Sequence, residues 1–313
     1  MQDFKYFKKI ISKNILFMMI LVLLLVGVSE RIVNLMVAND SYVLDRNKSI
    51  FRILREPENS VDIIVLGDSL GMTSISPMAW WGDYGMTGYV CGQTGQRMQE
   101  AFHMLQAAYE TQSPKLVILE TNMVFRCKNL SSEVKDCLGE IGYRYIPIFQ
   151  GHDIWKSMLS EKQYPAENYK GFAFRCETVP YEQGEYMQKN DQKEEISKIV
   201  SFYLEKIRKL CEKNGTKLLL VSTPSPINCN YARHNSIEAY AREKGLDFLD
   251  LNLKTEEIGI NWKTDSLDNG DHLNEKEKSD RYLFAFGTVM GGAYEYICSA
   301  VTELLFGTVF WDY

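Results

Sequence analysis

Two stretches of the chain carry side chains suited to acyl chemistry. Residues 61–72 read VDIIVLGDSLGM, an apolar run that ends in a glycine, an acid and a serine. Gly67-Asp68-Ser69-Leu70-Gly71 fits the G-x-S-x-G pattern of a nucleophile elbow. Ser69 is then either a nucleophile presented at the end of a strand or the polar cap of the next helix. A serine hydroxyl is a weak nucleophile and attacks a carbonyl only when a base takes its proton. Residues 265–274, DSLDNGDHLN, hold a candidate base in His272, one of four histidines. An acid must fix the tautomer of such an imidazole and stabilise its charged form. Asp268 lies four residues before His272, and Asp271 is adjacent to it.

The elements that must position these groups alternate strand and helix from residue 60 onward. Residues 61–67 are a short apolar run bounded by turn residues, as expected of a strand buried in a parallel sheet. Residues 85–92 read as a weaker second strand, 115–121 as a third, 217–224 as a fourth and 247–251 as a fifth. Between them, 96–110 place Met98, Phe102, Leu105 and Tyr109 on one helical stripe. Residues 192–213 form an amphipathic helix with Ile196, Val200, Tyr203, Ile207 and Leu210 inward, and a further helix falls near 233–244. This order predicts a three-layer α/β/α arrangement, a parallel sheet covered by helices on both faces. Functional residues of such sheets gather at the carboxyl ends of the strands. Those ends are Gly67-Asp68-Ser69, Cys91-Gly92-Gln93-Thr94-Gly95 and Glu120-Thr121-Asn122. Residues 125–190 break the pattern, show no long periodic segment, and read as an inserted lid or cap. Within it Lys170-Gly171-Phe172 is a candidate lining of the cleft. Trp80, Trp81 and Tyr84 could form an acyl or sugar platform, although packing under a loop is the favoured reading.

Taken in order, these blocks resemble the SGNH (GDSL-type) hydrolase family, named for serine, glycine, asparagine and histidine in four separated blocks. The resemblance covers about residues 60–276, interrupted at the insertion. A lone GDSL tetrapeptide says little, whereas four blocks in order, each at an expected strand end, say much more. The SGNH hydrolase fold, with its flavodoxin-like sheet, also accounts for a serine on the first strand and for an acid and histidine sharing one short loop. An α/β-hydrolase needs several strands before its elbow serine, so the elbow match is coincidental. The resemblance implies Ser69 as nucleophile and His272 as base. It implies an oxyanion hole made by the backbone N–H groups of Ser69 and Gly95 and the side-chain amide of Asn122, with Gly92 as the alternative glycine. One such donor is typically worth about 2.7–4 kcal/mol in the transition state. The family usually has Asp-x-x-His, but Asn269 occupies the position three before His272. Asp268 is preferred, because a loop lengthened by the Asn269-Gly270 turn can still bring it to the ring. Asp271, the alternative acid, would have to fold back on its own neighbour.

Similarity to anchored relatives, such as alginate O-acetyltransferases and teichoic acid D-alanylation proteins, implies work on a cell-surface polymer. The expected activity is that of a serine esterase or O-acyltransferase. Its substrate would be an acylated carbohydrate or polymer, and its partner a multi-span membrane acyltransferase; no cofactor or metal is expected. The alternative is a catalytically silent protein that binds glycan or a partner with the same cleft. A soluble secreted esterase is a third possibility.

The rest of the chain sets bounds. Of 313 residues, 45% are hydrophobic and 24% charged, which suits one large α/β domain over residues 41–313. The net charge is −6 and the only dense basic cluster is N-terminal, which argues against nucleic acid as a partner. Lys5, Lys8, Lys9 and Lys13 precede ILFMMILVLLLVGV at 15–28. Fourteen residues span only about 21 Å of helix, but apolar residues at 10–11 and 32–37 can extend it across a bilayer. A cleaved signal peptide has the same charge order. Only a weak cleavage position exists at Ser29, so residues 1–40 read as an uncleaved signal anchor. The lysines place its N-terminus in the cytoplasm and the remainder outside. Seven cysteines include no CxxC pair, so no zinc site is indicated. Cys91 and Cys211 read as small core residues, and Cys127 with Cys137 is the shortest loop a disulfide could close. Asn274 looks like the cap of a last helix. The apolar tail at 282–310 has no role legible in the sequence; Glu295 and Glu303 argue against a second span, and a diverged or frameshifted end is one expectation.

Overall fold

Five short strands form the sheet: β1 (Ile63–Gly67), β2 (Gly88–Gly92), β3 (Leu116–Glu120), β4 (Lys217–Ser222) and β5 (Asp247–Asp250). In the computed structural model, which describes residues 2–39, 43, 48–126, 129–146, 149–150, 169–274, 297, 300, 301 and 304, all pairings are parallel. The order is β2-β1-β3-β4-β5. This is the flavodoxin-like order that the resemblance to SGNH hydrolases implies. It places the topological switch between β1 and β3, where such sheets open a crevice beyond their carboxyl ends. The register aligns those ends: Gly67 lies opposite Gly92, Glu120 opposite Val221 and Ser222 opposite Asp250.

The strands read as continuous apolar runs because both faces are covered. Ile64, Leu66, Tyr89, Cys91, Val117 and Leu119 face a layer built from α2 (Lys48–Ile53), α5 (Met98–Ala108), α7 (Lys198–Lys213) and α8 (Tyr231–Lys244). Ile63, Val65, Val90, Leu116 and Ile118 face the opposite layer, which Ile75, Trp80, Leu251 and Ile258 help to build. To this second layer α3 (Ser69–Ser74), α4 (Pro77–Tyr84) and α9 (Thr255–Ile258) contribute Met72, Trp80 and Ile258, while α6 (Leu130–Tyr145) follows β3 in the chain. The C-terminal tail has a packing role that its sequence did not reveal. Ile297, Ala300, Val301 and Leu304 follow helical spacing, and Ile297 and Val301 are buried in the second layer. The helix expected after Asn274 begins outside the described residues.

The first helix, α1 (Gln2–Ala38), contains a stretch, Ser12–Ala38, long and apolar enough to cross a membrane. At 1.5 Å per residue those 27 residues extend about 40 Å. Met36 in its last turns packs with Val43 and Phe51, and Ser49 of α2 donates from its hydroxyl to the Gly92 carbonyl at 2.7 Å. The apolar helix is thus joined through α2 to the end of β2. Burial pushes the Cys91 and Cys211 thiols up to about 12, in keeping with their reading as small core residues. Cys137 is a free thiol, and Cys127 lies outside the described residues.

The insertion departs from expectation in two ways. It holds a periodic helix, the 16-residue α6, capped by Asn129, whose side chain accepts the Ser132 N–H at 2.9 Å. The apolar positions Leu130, Val134, Leu138 and Ile141 of that helix are exposed, so its stripe does not join the core. Beyond it, residues 169–197 form a strap tied along its length. Lys170 accepts from Val90 N–H at 2.8 Å, and Ala173 donates to Met72 at 2.8 Å. Val179 and Tyr181 donate to Ser266 and Trp262, and Ser236 of α8 donates to Glu194. Lys170 pairs with Glu56 at 2.7 Å and Phe172 is buried, so these residues serve packing and do not line a cleft. Gly171 has φ +84°, and a Cβ there would lie 2.0 Å from the Val90 carbonyl oxygen. Gly171→Ala should therefore destabilise the protein by about 1–3 kcal/mol and expose the strap. Chemical denaturation with limited proteolysis of residues 172–190 checks this; unchanged stability and protection would contradict it.

Candidate active site

β1 ends at Gly67, and the chain turns at once into α3. Asp68, not Ser69, caps that helix: its carboxylate accepts the Leu70 N–H at 2.9 Å. Ser69 is the first helical residue, half-exposed, and among the described residues nothing hydrogen-bonds its hydroxyl. The capping explanation for the serine is thereby taken by its neighbour. The turn is tight, since a Cβ on Gly67 would lie 2.9 Å from the Gly71 Cα and 3.2 Å from the Glu120 Cβ. That crowding accounts for both glycines and for the coincidental elbow pattern.

Asp68 is fully buried and joins the first block to the third. Its Oδ2 accepts from the Asn122 side-chain amide at 2.8 Å and from Arg126 Nε. Asn122 opens a 3-10 turn (Thr121–Phe125) that Glu120 caps by accepting the Asn122 N–H at 3.1 Å. One N–H of the Asn122 amide is held by Asp68, which fixes the plane of the other. Glu120 is fully buried beside Asp68. Burial, then the Asp68 charge, pushes its carboxyl well above the ordinary carboxylate range, so Glu120 keeps a proton while Asp68 carries the charge that Arg126 answers.

The second block divides its two glycines. A Cβ on Gly92 would meet Met72 Cγ at 2.7 Å and the Gly67 carbonyl at 2.8 Å, so Gly92 seals β2 against β1. Gly95, at φ +67°, has open space where its Cβ would be and lies on the wall of a cleft of about 610 Å³. Directly after Gly95 the buried Gln96 accepts the Gln93 N–H at 2.8 Å and stiffens the turn.

The fourth block is a closed loop, with Ser266 bridged to Leu273 and the Leu267 N–H donated to the His272 carbonyl at 2.9 Å. Asn269 and Gly270 take φ of +61° and +89° and supply the extra turn. Asp268 thereby reaches His272 twice: Oδ1 accepts the backbone N–H at 2.7 Å and Oδ2 meets Nδ1 at 2.7 Å. Asp271 Oδ1 lies 3.7 Å from Nδ1 and accepts from Asn228 instead. With Nδ1–H donated to Asp268, Nε2 carries the lone pair, and it is enclosed with no hydrogen-bond partner among the described residues. Ser225 and Ile227 after β4 donate to the Asp271 and Gly270 carbonyls, at 2.6 and 3.2 Å, and hold the loop at the carboxyl edge of the sheet. Ser69 and His272 are not hydrogen-bonded to each other; in free enzymes such contacts often tighten only on substrate binding. Ligand atoms of Asp268, Asp271 and His272 lie within 4.8 Å of one another, but both Asp268 oxygens already serve His272.

Solved structures similar to the chain include two from Bacteroides. One is a putative acylhydrolase from Bacteroides fragilis, at 12% identity and a TM-score of 0.43, covering 84% of this chain and 98% of that one. The other is a GDSL-like lipase from Bacteroides thetaiotaomicron, at 12% identity and a TM-score of 0.35, covering 77% and 87%. Similarities this weak carry no argument, and the strand order of the sheet is what assigns the fold. No protein-family model and no curated protein matches the sequence.

Among the aromatic candidates, Trp80 is buried with its ring against Gly88, where a Cβ would meet it at 2.6 Å; it is packing. Trp81 is exposed, and the Tyr84 side chain lies outside the described residues. Arg126, Glu120 and Gln96 are site-forming residues that sequence reasoning missed. An acid closing a buried strand, with an arginine six residues on, was the available signal. Glu120 yields a pH prediction. Its folded pKa is raised, so its stabilising contribution is full below pH 4.5, the ordinary carboxylate value, and is lost as pH rises toward the folded value. Thermal melts from pH 4.5 to 8 should show the wild type losing stability that Glu120→Gln, which cannot ionise, retains. Parallel curves would contradict this.

Proposed function

We propose that the chain is a membrane-anchored, extracytoplasmic serine acyl-ester enzyme that transfers an acyl group, through Ser69, to water or to a hydroxyl of a cell-surface polysaccharide. The observation that carries the reading is the double engagement of His272 by Asp268, which leaves Nε2 an enclosed acceptor. The uncommitted Ser69 hydroxyl lies on the same carboxyl edge of the sheet. Three of the four blocks resembling SGNH hydrolases fall at strand ends, and the fourth is a loop held to the segment after β4.

In the forward half-reaction His272 Nε2 takes the Ser69 proton as Oγ bonds to the acyl carbon. Asp268 stabilises the imidazolium that results. Negative charge then develops on the carbonyl oxygen, where the N–H groups of Ser69 and Gly95 and the free N–H of Asn122 are its donors. The tetrahedral intermediate collapses as the proton passes from His272 to the departing alcohol, leaving acyl-Ser69. Water or an acceptor hydroxyl then reverses the sequence, its proton going to Nε2. Asp68 and Arg126 touch no reacting atom; they position Ser69 and Asn122.

The anchor reading is supported by the apolar stretch Ser12–Ala38 and the lysines before it. Polysaccharide as acceptor and a multi-span acyltransferase as acyl supplier rest on likeness of architecture. Ser69→Ala should abolish acyl-ester turnover and labelling by a serine-directed phosphonate. Asp268→Asn should lower kcat by about 10³–10⁴-fold, because the ring loses its tautomer, and Asp271→Asn by less than about tenfold. Initial rates on a chromogenic acetyl ester check all three. Unchanged turnover and labelling in Ser69→Ala would sink the enzyme reading and favour a silent binding module.

A further inference from the structure

The cleft before Gly95, of about 610 Å³, is lined by glycines, Thr94 and six charged residues: Arg97, Glu100, Arg126, Lys135, Asp136 and Glu140. It offers no apolar side chain, so it suits a polar ligand and not a long acyl chain. The formal charges balance, three positive against three negative, so net field does not decide what binds. Hydrogen-bonding capacity does. The carboxylates are already engaged by the protein. Asp136 pairs with Arg97, Glu100 accepts the Arg97 N–H at 2.7 Å, and Glu140 has its own internal partner.

Of the three cations Arg97 is taken by Asp136, but Arg126 and Lys135 are not so engaged. Arg126 is held through Nε alone, by Asp68, which fixes the guanidinium and leaves its terminal amino groups at the cleft. Lys135 is exposed on α6 and makes no ion pair among the described residues. What the cleft has to spare is therefore charged donors, one of them in a fixed fork. Groups that only accept, and carry negative charge, satisfy such donors best.

We propose that this cleft, joined to the end of β1 by the Arg126–Asp68 bond, binds an anionic saccharide, with Arg126 and Lys135 taking its carboxylate or phosphodiester. The saccharide rests on the proposed function, whereas the preference for an anion rests on the cleft alone. The test is titration calorimetry on the full-length Ser69→Ala protein in detergent, which removes turnover. The probes are an oligogalacturonate, a glycerol-phosphate oligomer and a neutral galactose oligomer of matched length. At least one anionic probe should bind about tenfold more tightly than the neutral one, and which of them does so identifies the source of the charge. Lys135→Gln, at an exposed position, should cut that preference by about threefold, and Arg126→Lys should weaken it while keeping the charge. Neutral binding as tight as both anionic probes, or a preference untouched by both substitutions, overturns the proposal. Failure of the catalytic reading would show separately, as unaltered phosphonate labelling in Ser69→Ala.

Discussion

A single buried carboxylate organises the candidate site. Asp68 has no exposed surface, and a charge in that position survives only when it is paired and hydrogen-bonded. Its partners are the Leu70 N–H on its own helix, the Asn122 amide at the end of the neighbouring strand and the Arg126 guanidinium. Through those bonds the end of β1 sets the conformation of the end of β3. A second buried acid, Glu120, would repel Asp68 if both were ionised, and its raised pKa resolves the conflict by keeping it neutral. The serine is thus presented by a node whose bonds are already satisfied, and its own hydroxyl is spared from capping.

The histidine is positioned differently. It sits on an exposed-edged loop held by backbone bonds to the segment after β4 and to the strap. The strap donates Ala173 N–H to α3 and, six residues later, Val179 N–H to Ser266 in the histidine loop. One short segment therefore connects the helix of Ser69 to the loop of His272.

How much of this was legible follows from where each signal lives. The strands could be read because burial on both faces makes them continuous apolar runs. Asp268 could be chosen over Asp271 because an Asn-Gly pair has a known backbone preference, which the positive φ values of Asn269 and Gly270 meet. Arg126 and Glu120 left only a faint signal, an acid closing a buried strand with an arginine six residues on, since their roles arise only when two strand ends come side by side. Helix α6 was missed because its apolar stripe lies in a segment dominated by turn and aromatic residues and is exposed in the structure. The tail was unexplained until Ile297 and Val301 were found inside the second layer.

The account stands or falls on whether Ser69 forms a covalent bond to an electrophile. The most direct measurement is peptide mapping by mass spectrometry after the full-length protein reacts with a serine-directed phosphonate. A single adduct on the peptide containing Ser69, formed more slowly in Asp268→Asn, is the predicted result. No adduct, or an adduct on another serine such as Ser222 or Ser225, would contradict it.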